Sequence, residues 1–145
     1  MTLLVDDQLL SVVLRGDELP VPLGSDSTIA TTGYWYVRLC QAVLGVTDRP
    51  GTLSGPFAAL PISRREQALA AVLGLPDEIG LVSSRELGPV IGRLRARHQL
   101  NILSVEALAA ALHLNATVAL SARSPRLEDA LRAEGVSFHV VASTP

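Results

Sequence analysis

The sequence lacks several features, and each absence excludes a class of protein or site. All 12 basic residues are arginine, and the net charge of −2 provides no overall attraction to nucleic acid. The single cysteine, Cys40, excludes an internal disulfide and a cysteine-based zinc site, and it suits a reducing cytoplasm. No apolar run approaches the roughly 18 residues that a membrane-spanning helix needs. We therefore expect a cytoplasmic protein without a membrane segment.

The residues that are present indicate a folded α/β domain. Of 145 residues, 48% are apolar and 18% are charged, so the chain can bury a core and is unlike a disordered protein. Predicted strands alternate with predicted helices, as in a parallel sheet covered on both faces. We predict a single domain over residues 1–145, built as a three-layer α/β sandwich around a mainly parallel sheet.

The element order follows from apolar periodicity and capping residues. Residues 2–5 are predicted to form a buried strand, and residues 7–15 a helix. Ser27 or Thr28 is predicted to cap a second helix that runs to about Leu44. The later predictions are a capping box over Ser63–Glu66, a helix capped by Ser104, and strands over residues 117–120 and 136–141.

An acidic pair follows the first predicted strand. Burying a carboxylate there is unfavourable unless the group faces a cleft, a metal ion or a hydrogen-bond donor. One interpretation is that Asp6 or Asp7 caps the next helix. The other is that Asp6 binds a hard divalent cation, which would activate water for phosphodiester cleavage. The residues alone leave both interpretations open.

Three short segments resemble a known family. The first, Leu3–Asp7, is an apolar strand ending in acid. In the second, Leu103–Leu112, Glu106 precedes a run of small and aliphatic residues. The third, Ala116–Arg123, is a strand followed by a tight turn. Their order and spacing resemble PIN-domain ribonucleases, the toxin half of many bacterial toxin–antitoxin pairs.

The resemblance implies a PIN-like fold whose active site gathers three or four acids around Mg²⁺ or Mn²⁺. Asp6 matches the first of these acids, with Asp7 beside it, and Glu106 matches the third. These positions are the catalytic and metal-binding residues that the resemblance implies. The resemblance also implies a homodimer and an antitoxin-like protein partner. RNA as a substrate follows from the resemblance alone, since the net charge does not favour it.

Two other positions of the family pattern lack an acid. The segment that corresponds to the second acid, Thr31–Arg38, contains none. The fourth acid position falls on Arg123, whose guanidinium would repel a metal ion and could pair with Asp6 or Glu106. We therefore predict weak or absent binding of Mg²⁺ or Mn²⁺.

Ordinary structural roles compete with these interpretations. Glu106 in the first turn of its helix would simply interact with the helix dipole. Glu128 and Asp129 are predicted to be solvated. Trp35 is assigned to the core, and its neighbours Tyr34 and Tyr36 are the candidates for a groove or an oligomer interface.

Three functions remain open from the sequence. The favoured hypothesis is a PIN-like protein with a degenerate nuclease site that acts by binding a partner. The second is an active Mg²⁺- or Mn²⁺-dependent endoribonuclease that uses Asp6 and Glu106. The third is a non-enzymatic regulatory α/β domain that resembles the family in topology only.

Overall fold

The computed structural model describes residues 1–20, 27–45 and 51–141. Within them, one sheet contains five strands: β1 Thr2–Val5, β2 Thr28–Thr31, β3 Gly80–Leu81, β4 Thr117–Leu120 and β5 Phe138–Val140. The same residues contain seven helices: α1 Asp7–Leu14, α2 Gly33–Leu44, α3 Gly55–Ala58, α4 Ile62–Leu73, α5 Ser84–Arg97, α6 Ile102–Leu114 and α7 Pro125–Ala133.

Strand β1 lies at the centre of the sheet. The strand order is β3-β2-β1-β4-β5, and all four neighbouring pairs are parallel. In the register, Leu4 lies beside Ala30 of β2 on one side and beside Val118 of β4 on the other. The predicted parallel sheet is therefore confirmed.

The alternation of side chains along the strands divides the core into two layers. Leu4 of β1 packs with apolar residues of α5, α6 and α7, such as Leu87, Leu108 and Leu131. Its neighbours Leu3 and Val5 point to the opposite face, where α1, α2, α3 and α4 pack. Helices therefore cover both faces of the sheet, which confirms the three-layer α/β architecture.

One strand was missed by the sequence prediction. The helix predicted from Ser27 or Thr28 is wrong over its first part, because Thr28–Thr31 forms strand β2 between β1 and β3. Its threonines and Ile29 are β-branched, and such side chains fit a pleated surface. The helix α2 begins only at Gly33, after Thr32 has capped it, and ends at Leu44 as predicted.

Two predicted helix starts are also wrong. Helix α6 is capped by Asn101, whose Oδ1 accepts the Ser104 N–H at 2.8 Å, so Ser104 lies inside the first turn. Helix α4 begins at Ile62 after Pro61, and no side chain caps it, so the capping box at Ser63 does not form. In both places a residue just upstream starts the helix earlier than the serine would.

Within the described ranges, no helix is long and apolar enough to cross a membrane. That residues 1–145 form a single domain stays a prediction, since residues 21–26, 46–50 and 142–145 lie outside those ranges.

Candidate functional site

The strand order places a crevice at one edge of the sheet. The chain continues from β1 to β2 on one side, whereas β4 adds to the other side of β1. In parallel α/β sheets, a crevice opens outside the carboxyl ends of two strands whose connections diverge in this way. Asp6 follows β1 and Ser121 follows β4, so these residues flank the crevice.

Asp6 is buried, and both its carboxylate oxygens accept hydrogen bonds from the chain. Oδ1 accepts the Leu9 N–H at 3.0 Å, which makes Asp6 the N-cap of α1. Oδ2 accepts the Ser121 N–H at 2.7 Å and the Ser121 hydroxyl at 2.6 Å. The capping interpretation of Asp6 is therefore confirmed, and the same carboxylate joins the ends of β1 and β4. Whether Asp6 also binds a metal ion stays a prediction.

Asp7 is the least satisfied acid at this edge. Its side chain is 9% exposed, and Arg38 Nε lies 3.3 Å from Oδ2. The Nε–H does not point at that oxygen, so the buried Oδ2 atom accepts no hydrogen bond from the residues that the structure describes, while Oδ1 accepts the Gln8 N–H. Burial raises the pKa of Asp7, the neighbouring Asp6 charge raises it further, and Arg38 opposes the rise. Arg38 is thus the cation that balances this acid.

Glu106 lies in the second turn of α6 and interacts with the start of a different helix. Its Oε1 accepts the Tyr34 N–H at 2.9 Å, in the first turn of α2. A Cβ atom at Gly33 would lie 3.4 Å from Oε2, so a side chain there would crowd the carboxylate. The interpretation of Glu106 as a first-turn acid of its own helix is wrong, because α6 begins at Ile102. Glu106 instead satisfies an otherwise unpaired donor of α2.

Arg123 does not pair with Asp6 or Glu106. Its Nε lies 3.1 Å from both carboxylate oxygens of Glu128, and its Nη2 lies 3.1 Å from Oε1. The expectation that Glu128 is solvated is wrong, since its side chain is 2% exposed, whereas Asp129 is exposed as predicted. Hydrogen bonds from Arg123 and from the Ser124 N–H lower the pKa of Glu128. The predicted counter-ion of the site is thus paired with Glu128 of the following helix, α7.

The predicted site residues line one edge but do not form a single contact group. Asp6 is bonded to Ser121 after β4, Glu106 is bonded to the start of α2, and Arg123 is paired with Glu128. Among the residues that the structure describes, no group of three or more Asp, Glu, His or Cys side chains is placed to hold a metal ion together.

The sequence prediction missed Arg38, which lies in the segment that lacks the family's second acid. Its pairing with Asp7 depends on the packing of α2 beside α1, so no short motif could have revealed it. Ser121 lies in the turn after β4 and is not one of the predicted site residues, yet it supplies two of the three donors to Asp6. The sequence feature that could have indicated this contact is a serine placed directly after a strand that lies parallel to β1.

Comparison with known proteins supports the fold and leaves the chemistry open. No protein-family model matches the chain, and no curated protein matches it. A solved chain of VapBC-1 from nontypeable Haemophilus influenzae is similar, with a TM-score of 0.51 over 97% of this chain and 98% of that chain. The fold is PIN-like, as the sequence resemblance predicts. The two chains share 12% identity, so the match concerns the fold and not the activity.

Proposed function

We propose that this chain is a PIN-like protein of the bacterial toxin–antitoxin type, with a degenerate metal-dependent ribonuclease site, that acts by binding a protein partner. One observation carries the proposal: the acids that would hold the metal ion are already engaged by donors or cations of the chain itself. We also propose that the protein is cytoplasmic.

The charge balance at the crevice supports a degenerate site. A hard cation needs several anionic or carbonyl oxygens to replace its water ligands. Asp6 already accepts three hydrogen bonds, and Glu106 accepts the N–H of Tyr34. Arg38 places a permanent positive charge beside Asp7. These residues therefore fit Mg²⁺ or Mn²⁺ poorly, and we expect the chain to bind either ion weakly or not at all.

One observation favours the alternative, an active nuclease. The buried Oδ2 atom of Asp7 accepts no hydrogen bond from the described residues. Binding of a cation to such a carboxylate oxygen would offset the free-energy cost of burying it. Bonds from Ser121 and Leu9 also orient Asp6, as hydrogen bonds often do for metal-binding carboxylates. In this alternative, Arg38 would have to move away from Asp7 before an ion could bind.

The fold match supports partner binding. VapBC-1 is a toxin–antitoxin complex, and the similarity extends over nearly all of both chains. An antitoxin-like protein is therefore the partner that we propose. We also propose a homodimer. Its surface would be the exposed apolar stripe of α2, which consists of Tyr34, Val37 and Leu44 at 44%, 49% and 45% exposure. These residues recur at helical spacing, so they share one side of α2.

Substitution of this stripe tests the homodimer. We expect the unmodified chain to elute as a dimer in size-exclusion chromatography with light scattering, and Val37→Glu to shift it to a monomer, because a buried carboxylate disfavours the interface. Leu112→Glu is the matched control, since Leu112 is also exposed but lies on α6 in the opposite layer. A monomeric unmodified chain at high concentration would count against the homodimer.

A further inference from the structure

A cleft with two arginines and no acid opens beside the candidate site. It lies where α6 and α7 both begin, at the carboxyl edge of the sheet next to β4, and it is an open cleft with a volume of about 520 Å³. Its polar lining consists of Gln99, Asn101, Ser104, Arg123, Ser124 and Arg126. We call it the arginine cleft. Its volume lies in the range of small-ligand pockets.

The charges around the arginine cleft leave a net positive site. Arg126 forms no ion pair among the described residues. Arg123 is paired with Glu128, which orients its guanidinium but does not itself line the cleft. Asp129 lines the neighbouring depression together with Arg126, but its carboxylate is bonded to Arg132 at 3.1 Å. One guanidinium is therefore free to meet an anion, and a second is held in a fixed position beside it.

Neutral donors and an apolar wall complete the arginine cleft. The Oδ1 of Asn101 is used to cap α6, which leaves the amide N–H₂ group as a donor. The Ser124 hydroxyl caps nothing, because α7 begins without a side-chain capping bond. Leu100 and Pro125 add apolar surface to the lining. The donors match the oxygens of a phosphate, and the apolar lining offers contact to the organic group attached to it.

We propose that the arginine cleft binds the phosphate group of a nucleotide-sized ligand. The lining of this site does not include Asp6, Asp7 or Glu106, and the proposal does not depend on whether those acids retain any activity. Guanidinium groups are suited to phosphate because their planar N–H donors can meet two oxygens at once. The phosphate could belong to a free mononucleotide or to the end of an oligonucleotide.

Titration calorimetry with adenosine 5′-monophosphate, and with adenosine as the ligand without phosphate, tests the proposal. We expect the monophosphate to bind and adenosine not to bind. Arg126→Gln should weaken binding by about tenfold or more, since it removes a charge-assisted hydrogen bond. Arg95→Gln is the matched control, because it removes the same charge from an exposed position on α5 outside the cleft. This control should leave the affinity within about twofold of the unmodified chain.

Binding measurements with two further ligands show whether the phosphate belongs to a nucleotide or to an RNA end, and whether the cleft prefers phosphate to carboxylate. A short RNA with a 5′-phosphate, compared with the same RNA without it, distinguishes an oligonucleotide end from a free nucleotide. If citrate binds as tightly as the monophosphate, the cleft is a general carboxylate site and the proposal is wrong. Equal losses in Arg126→Gln and Arg95→Gln, or no binding of any phosphate by the folded chain, would also overturn it.

Discussion

Replacing Arg38 with aspartate is expected to increase the affinity of the chain for Mn²⁺ by about ten- to a hundredfold, or about 1.4–2.8 kcal/mol. The substitution exchanges the cation 3.3 Å from Asp7 Oδ2 for a carboxylate, at the end of the crevice where the segment Thr31–Arg38 lacks an acid. Arg38 is half exposed, so solvent screening keeps the effect well below the full Coulomb energy. Titration calorimetry measures the change.

Arg123→Asp provides the matched control. If Arg123 repelled a metal ion at the acids, as the sequence predicts, this substitution would strengthen metal binding. The structure pairs Arg123 with Glu128 instead, so we now expect no gain. Arg38→Gln and Arg123→Gln repeat the comparison without adding a new acid, in case an aspartate prevents folding. Stronger Mn²⁺ binding in the Arg123 variants than in the Arg38 variants would contradict the assignment of Arg38.

Asp6→Ala is expected to lower the free energy of unfolding by about 2–4 kcal/mol. It removes the N-cap of α1, at a typical cost of about 1 kcal/mol, and it leaves the Ser121 N–H without its acceptor at a further cost of about 1–3 kcal/mol. Asp6→Asn keeps one side-chain acceptor oxygen, so its loss should be about half as large. Chemical denaturation followed by circular dichroism measures both.

Asp129→Ala is the control for this stability effect. Asp129 is exposed, and among the described residues its one ion pair is with Arg132 at the surface of α7, so we expect a change within about 0.5 kcal/mol. An Asp6→Ala variant as stable as the Asp129→Ala variant would mean that the contacts of Asp6 do not hold β1 and β4 together. The expected loss also makes Asp6→Asn the better variant for activity measurements, because it keeps more of the stability that holds the chain folded at the assay temperature.

The fold could be predicted from the sequence where apolar segments and turns were unambiguous. The segment Thr2–Val5 and the segment Thr117–Leu120 each consist of a threonine and three apolar residues followed by a polar residue, and both form strands as predicted. Strand β2 could not be recognised, because Thr28–Thr31 has only one large apolar residue and leads directly into a helix. Its strand conformation results from its position between two other strands, which is a tertiary effect.

The candidate site was predictable only as a set of positions. Asp6 is the residue where a buried strand ends, and its capping role follows from local sequence. The partners of the charged groups depend on which helices pack together. Arg38 reaches Asp7 because α1 and α2 are neighbours, and Glu106 reaches Tyr34 because α6 lies near the start of α2. Arg123 was assigned to the wrong acids because Glu128, one turn into α7, is closer to it.

The most direct test of the degenerate site is Mn²⁺-dependent cleavage of a labelled single-stranded RNA by the purified full chain, with Asp6→Asn assayed in parallel. If the acids are engaged as described, the unmodified chain should cleave no more RNA with Mn²⁺ than with a chelator, and Asp6→Asn should behave in the same way. Efficient cleavage by the unmodified chain that requires Mn²⁺ and is lost in Asp6→Asn would contradict the proposal and establish an active nuclease.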